Sequence, residues 1–330
     1  MRRTITGTLG TKTGRSTLAR AVARWFSGRN LLILYAILPV IVFGFLTWFF
    51  PVGYGMVMSL TDWNPMSVHA PAFVGLENYR RAFTTPVVWI AFLNSAKYAA
   101  LTVGVGAPLA LILAMWLNGL RRGRGLLRLV FFLPVVTSMI ATAIMWKYLY
   151  QPRLGIFNGL LMTVRDALGL SFALPRYLLD PRLALMSIAA MAMWKNLGFT
   201  VVIFMAGLSG IPAEYYDAAR IDGAGPWALF RHITLPLLRQ TTVFVLVTGL
   251  ASAMQAFSEI YVMTGSSGGS GGTTMGGPLN STLTIVVELY QRAFRAFEFG
   301  YASALAVIIA VIICLLSLIM LRLGRADWEY

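Results

Sequence analysis

The sequence predicts an all-α integral membrane protein with six transmembrane helices. Of its 330 residues, 58% are hydrophobic and 12% charged, and the mean hydropathy is +0.73. The charged share is about half that of an ordinary soluble domain. The apolar residues fall in blocks of about 20 or more, the length a helix needs to cross a bilayer, instead of the one-sided stripes of a soluble helix. The basic residues concentrate in alternate loops, the bias of a membrane chain with cationic cytoplasmic segments.

In chain order the spans fall at 31–50 (with an apolar run extending to 60), 90–117, 126–150, 183–208, 237–263 and 300–323. Pro39, Gly104, Gly106, Pro108 and Pro134 lie inside them; neighbouring helices can satisfy the backbone groups such residues free. The first run is too long for a cleaved leader, and no small-residue cleavage site follows it. Residues 1–30 form a basic tail with Arg2, Arg3, Lys12, Arg15, Arg20, Arg24 and Arg29 and no acid. That tail is expected in the cytoplasm, and an even number of spans returns residues 324–330 there.

The remaining loops agree with this orientation. Arg121, Arg122, Arg124, Arg128, Arg220, Arg231, Arg239, Arg322 and Arg325 bring the inside total to 16 basic residues. The outside loops hold eight: Arg80, Arg81, Arg153, Arg165, Arg176, Arg182, Arg292 and Arg295. The net charge of +15 is thus largely topological, and nucleic acid is excluded as a partner. A single cysteine, Cys314, and two distant histidines, His69 and His232, give neither a disulfide framework nor metal-ligand spacing. Residues 7–17 are rich in Gly, Lys and Thr but lack GxxxxGK[ST], so no ATP site is expected in this chain.

The segment 209–236, between the fourth and fifth spans, is the most informative. Pro212, Glu214 and Asp217 favour a helix start, where acids meet the positive end of the helix dipole. Gly223, Gly225 and Pro226 end that helix. A second short helix, 227–233, is expected to stop before Pro236. The elbow exposes Tyr215, Tyr216, Ile221, Trp227 and Phe230, apolar groups that call for a partner surface. An interfacial helix lying on lipid would need Lys or Arg on its polar face, whereas Glu214, Asp217 and Asp222 make this one acidic.

This elbow resembles the "EAA" signature of binding-protein-dependent ABC transporter permeases: Glu-Ala-Ala, three residues, Gly, nine residues, Ile, one residue, Leu-Pro. Asp217, Ala218, Ala219, Gly223, Ile233, Leu235 and Pro236 stand at that spacing, with Asp217 replacing Glu. Residues 73–79 (FVGLENY), 155–159 (GIFNG), 276–278 (GGP) and 299–304 (FGYASA) are similar to segments of sugar permeases, on the subunit type of the first maltose or glycerol-3-phosphate permease. The resemblance implies a type I ABC importer permease fold with the elbow as the helix that couples to a separate ATPase. ATP and Mg would be bound by a dimer of those ATPase subunits, with no cofactor in this chain. It further implies a second permease subunit, an extracytoplasmic solute-binding protein, and a bacterial or archaeal inner membrane. The imported solute would be a sugar, an oligosaccharide or a glycerol phosphate.

A solute path needs hydrogen-bonding groups and aromatic faces at membrane depth, where polar residues are functional candidates by default. The candidates are Thr137, Ser138, Trp194, Asn196, Phe199, Ser252, Gln255, Phe257 and Glu259, with Trp146, Lys147 and Lys195 nearby. Lys147 and Glu259 sit near the outer ends of their spans, where a charged head can instead snorkel to the interface. Two other functions compete. A self-sufficient secondary transporter or channel needs coupling carboxylates within spans, and Glu259 stands alone. A membrane enzyme needs clustered Asp, Glu or His at the interface, and the sequence offers none. The Gly-rich run 265–277 reads as a flexible outer loop.

Overall fold

A computed structural model describes residues 28–120, 122–265 and 275–324, which are largely helical. Most of the basic N-terminal tail, Arg121, the centre of the Gly-rich run and residues 325–330 lie outside the described residues. Residues 1–57 and 58–330 form two separate units.

In the first unit α1 (Gly28–Gly44) leads through a π-turn at Phe45–Phe49 into α2 (Phe50–Met58). The Phe50 N–H reaches back to Phe45 O. This wider turn directly precedes Pro51, which has no N–H to give.

The second unit contains α3 (Glu77–Thr84), α4 (Pro86–Gly119), α5 (Arg124–Val136), α6 (Met139–Leu149), α7 (Ile156–Ala167) and α8 (Ala184–Ser209). After the elbow come α12 (Arg239–Met254), α13 (Ser258–Thr264), α14 (Ile285–Phe294) and α15 (Phe299–Gly324). The elbow itself is α9 (Ala213–Ile221), α10 (Pro226–Leu229), a π-turn at Phe230–Thr234 and α11 (Leu235–Leu237). The segments Tyr35–Met58, Pro86–Gly119, Ala184–Ser209 and Phe299–Gly324 are each long and apolar enough to cross a membrane. Two bent pairs, α5 with α6 and Pro226–Leu237 with α12, raise the number to six if each counts as one span.

The second, fourth and sixth spans therefore lie within a few residues of their predicted limits. The third and fifth are not the continuous helices the hydropathy suggests. α5 and α6 meet at 96° around Thr137 and Ser138, three residues after Pro134. The fifth is interrupted between α12 and α13, at residues 255–257.

The centre of this unit is the pairing of α4 with α8. Ala91, Ala99, Ala107, Ala110 and Ala114 of α4, and Ala184, Ala189 and Ala192 of α8, are buried. Small side chains let helix backbones approach closely in a membrane, where lipid offers no hydrophobic drive for association. Gly198 takes this furthest, because a Cβ there would overlap the Phe131 carbonyl of α5. At one end of the bundle, ion pairs join α3 and α14 to Glu298, the residue before α15. Arg81 meets Glu298 at 2.8 Å, Arg292 meets Glu288 at 2.7 Å and Glu298 at 3.4 Å, and the Arg81 guanidinium lies 4.4 Å from the Tyr301 ring centroid.

Candidate functional site

Two places concentrate the expected functional residues. The first is a cavity of about 430 Å³ walled by α4, α8 and α12, with single contributions from α5, α6 and α13. Its polar residues come in pairs one helical turn apart: Tyr98 and Thr102 on α4, Asn196 and Thr200 on α8, Thr248 and Ser252 on α12. Residues at i and i+4 share a helix face, so each of the three helices presents one polar stripe to the same space. Glu259 joins them from the first turn of α13, and Met139, Phe199, Leu197 and Ala253 supply apolar wall.

Glu259 is buried and does not snorkel. The break before α13 brings it into the bundle, where the Tyr98 hydroxyl donates to its Oε1 at 2.8 Å. Lys147 has protein partners as well; its Nζ donates to Val262 O at 3.0 Å and Gly265 O at 3.2 Å, at the carboxyl end of α13. Lys195 does the same for α5, donating to Pro134 O at 3.4 Å and Val135 O at 3.2 Å. Each interrupted span thus ends one of its half-helices on a lysine. The last carbonyls of a helix lack intrahelical donors and carry partial negative charge, so an ammonium both satisfies and neutralises them.

Of the nine solute-path candidates, Asn196, Phe199, Ser252 and Glu259 line the cavity, while the other five do not. Thr137 closes the α5 break, donating to Pro134 O at 2.6 Å and meeting Thr142 Oγ1 at 3.0 Å. Ser138 begins α6. The Trp194 ring lies 5.4 Å from that of Trp146, in an aromatic group with Tyr150, Phe157 and Tyr177. Gln255 folds back onto its own helix, with Nε2 donating to Ala251 O at 2.9 Å. Phe257 packs on Tyr261 and Tyr290. Sequence reasoning missed Tyr98, Thr102, Thr200 and Thr248. The signal was the i, i+4 spacing of polar residues, which a count of polar residues per span does not capture.

The second place is the elbow. α9 ends in the left-handed cap its sequence suggests. Gly223 has φ +82°, its N–H bonds Arg220 O at 3.0 Å, and the Ala224 N–H bonds Ala219 O at 2.9 Å, the paired bonds of a Schellman motif. Ala218 and Gly223 are exposed and Ala219 half-buried. Asp217 is exposed and pairs with Arg220 of its own helix at 2.8 Å, an arrangement worth about 0–1 kcal/mol. Tyr215, Ile221 and Trp227 are exposed as expected. Tyr216 is half-buried and bonds Thr234 at 3.1 Å across the elbow, and Phe230 is half-buried beside it.

The second elbow helix does not stop before Pro236. It continues past Ile233 and Leu235 because the chain widens into a π-turn, in which the Leu235 N–H reaches Phe230 O. Pro236 then falls in the first turn of α11, where a missing N–H costs nothing. The same arrangement precedes Pro51. The elbow meets α12 at 65°.

Long apolar helices, two interrupted spans and a polar-lined space between them define a multi-pass membrane permease. The chain belongs to the family of binding-protein-dependent transport system inner membrane components, whose model matches residues 106–326. It is 31% identical over 299 residues to a probable ABC transporter permease protein of Pyrococcus horikoshii, covering 91% of this chain and 95% of that one. It is 31% identical over 286 residues to the arabinooligosaccharides transport system permease protein AraP of Bacillus subtilis, covering 86% and 85%. The fold matches a bacterial ABC transporter involved in the import of the acidic polysaccharide alginate, with a TM-score of 0.76 at 20% identity over 95% of this chain and 100% of the other. A bacterial alginate ABC transporter in complex with an alginate pentasaccharide-bound periplasmic protein matches as well, at a TM-score of 0.74 and 21% identity over 91% and 96%. The chain thus has the type I ABC importer permease fold. Membership in a family of transport-system components sets aside the self-sufficient carrier.

Proposed function

We infer that this chain is the permease subunit of an importer that moves a sugar or related carbohydrate across the inner membrane, driven by a separate ATPase. The observation that carries the reading is the cavity: hydroxyl, amide and carboxylate groups from α4, α8, α12 and α13 face one space of about 430 Å³. Those are the groups that hydrogen-bond a polyol. The names of the arabinooligosaccharide relative and the alginate importer support the same solute class.

The parts then take the following roles. Asn196, Phe199, Ser252 and Glu259, with Tyr98 and Thr102, contact the solute. A second permease subunit supplies the other wall of the path, and a solute-binding protein delivers the sugar from outside. Asp217, Ala218, Ala219, Gly223, Ile233, Leu235 and Pro236 shape the elbow that seats on a dimer of ATPase subunits, which hold ATP and Mg. Closure of that dimer rocks the spans as rigid bodies around the cavity.

Reconstitution with the partner subunits tests this, with uptake of a panel of labelled oligosaccharides as the readout. Asn196→Ala is expected to lower uptake at limiting solute about fivefold, the equivalent of about 1 kcal/mol for one lost hydrogen bond. Gln255→Ala, outside the cavity, is expected to stay near wild type. Uptake by this chain alone, without ATP or partners, would overturn the reading.

A further inference from the structure

The cavity wall is rich in acceptors and poor in donors. Thr102 donates to Tyr98 O at 2.8 Å, Thr200 to Asn196 O at 3.4 Å and Thr248 to Phe244 O at 2.7 Å. Tyr98 commits its proton to Glu259. A hydroxyl that has already donated offers only lone pairs. These four groups and the Glu259 carboxylate therefore meet an incoming solute as acceptors. Among the polar lining residues, Asn196 and Ser252 keep side-chain donors that have no partner among the described residues.

Charge points the same way. Among the lining residues Glu259 carries the one full charge, and no Lys, Arg or His accompanies it. The nearest cation in sequence to the wall, Lys195, attracts Glu259 but does not line the cavity, because its ammonium is turned onto the Pro134 and Val135 carbonyls.

We propose that this cavity selects on charge, taking uncharged, hydroxyl-rich solutes and turning away carboxylated or phosphorylated ones, with Glu259 as the specificity-determining residue. The inference rests on the sugar-import reading and separates sugars from glycerol phosphates within it. A sugar hydroxyl donates to the acceptors that dominate the wall. A carboxylate or phosphate can only accept, finds few donors, and brings a negative charge toward another negative charge. At contact range in a partly desolvated site, that repulsion exceeds what is needed for roughly tenfold discrimination. The acidic-polysaccharide importer that shares this fold would on this view need a differently charged wall.

The test uses the complete complex in lipid nanodiscs, without the solute-binding protein, so that the partner's selectivity is not read. Saturation-transfer NMR is recorded with arabinotriose and with trigalacturonate at equal concentration. Wild type is expected to favour arabinotriose by roughly tenfold or more. Glu259→Gln keeps an acceptor for the Tyr98 hydroxyl and is expected to narrow that preference about tenfold by raising the trigalacturonate signal. Thr248→Lys leaves the Tyr98–Glu259 pair intact, places a cation on the wall, and is expected to act in the same direction. Equal binding of the two trisaccharides by wild type, or an unchanged preference in both variants, overturns the charge filter while leaving sugar import standing. If neither trisaccharide binds any of the three proteins, the sugar-import reading itself fails, and the filter with it.

Discussion

At Gly223 the backbone takes φ +82°, a conformation that costs an L residue about 1–2 kcal/mol. A Cβ there would meet no other atom of this chain within 4 Å, so crowding inside the chain adds nothing. Gly223→Val is therefore expected to leave insertion and folding largely intact and to distort the turn that separates α9 from α10. If the elbow couples to an ATPase, both uptake and solute-stimulated ATP hydrolysis fall in the reconstituted complex. Gly223→Asn is expected to retain most of both, because Asn tolerates the left-handed region. Wild-type uptake and stimulation in the valine variant would remove the turn from the transport cycle. This residue was readable in the sequence because the requirement is local: a helix that must end and reverse within a few residues announces itself by Gly-Ala-Gly-Pro. Glu259 was only half readable. Its presence in a span was evident, but its burial depends on the interruption at residues 255–257, where no proline or glycine stands.

Among the elements, the interrupted spans were the hardest to foresee. Hydropathy records composition over a window, and α5 plus α6 is as apolar as a straight helix. Pro134 hinted at the first break, since it removes a donor from the helix ladder. The chain resolves the break with side chains from elsewhere: Thr137 locally and Lys195 from α8. Removing the Lys195 ammonium takes a charged donor from the half-buried Pro134 and Val135 carbonyls, at about 1–3 kcal/mol. Lys195→Met is thus expected to lower the thermal unfolding midpoint of the purified complex, and Lys195→Arg to recover most of the loss. A midpoint unchanged by Lys195→Met would show that the α5 terminus is held by its other contacts. The long helices α4, α8 and α15 were legible to within a few residues because their termini coincide with the ends of apolar blocks, at Pro86 and Gly119 in α4.

On the scale of the whole molecule the interruptions bear on topology. Four segments cross by length and composition alone, and two bent pairs, at 96° and 65°, each count either as a crossing or as a re-entrant loop. If both cross, six spans place the termini on one side; if one re-enters, five spans place them on opposite sides. Placement of the elbow, rather than total charge, decides whether the third span crosses. With six spans the basic residues divide 16 to 8 between the two faces, in the direction the positive-inside rule requires. With a re-entrant third span, Arg220, Arg231, Arg239, Arg322 and Arg325 would move to the outer face, and Arg153, Arg165, Arg176, Arg182, Arg292 and Arg295 would join the inner one, a division of 17 to 7 that satisfies the same rule. That arrangement would, however, carry the elbow away from any cytoplasmic ATPase. We therefore expect reporter fusions at Gly28 and Arg325 both to report cytoplasm, and a fusion after Arg165 to report the opposite side. A cytoplasmic signal after Arg165 would mean that α5 and α6 re-enter, and the elbow would then lose its proposed partner.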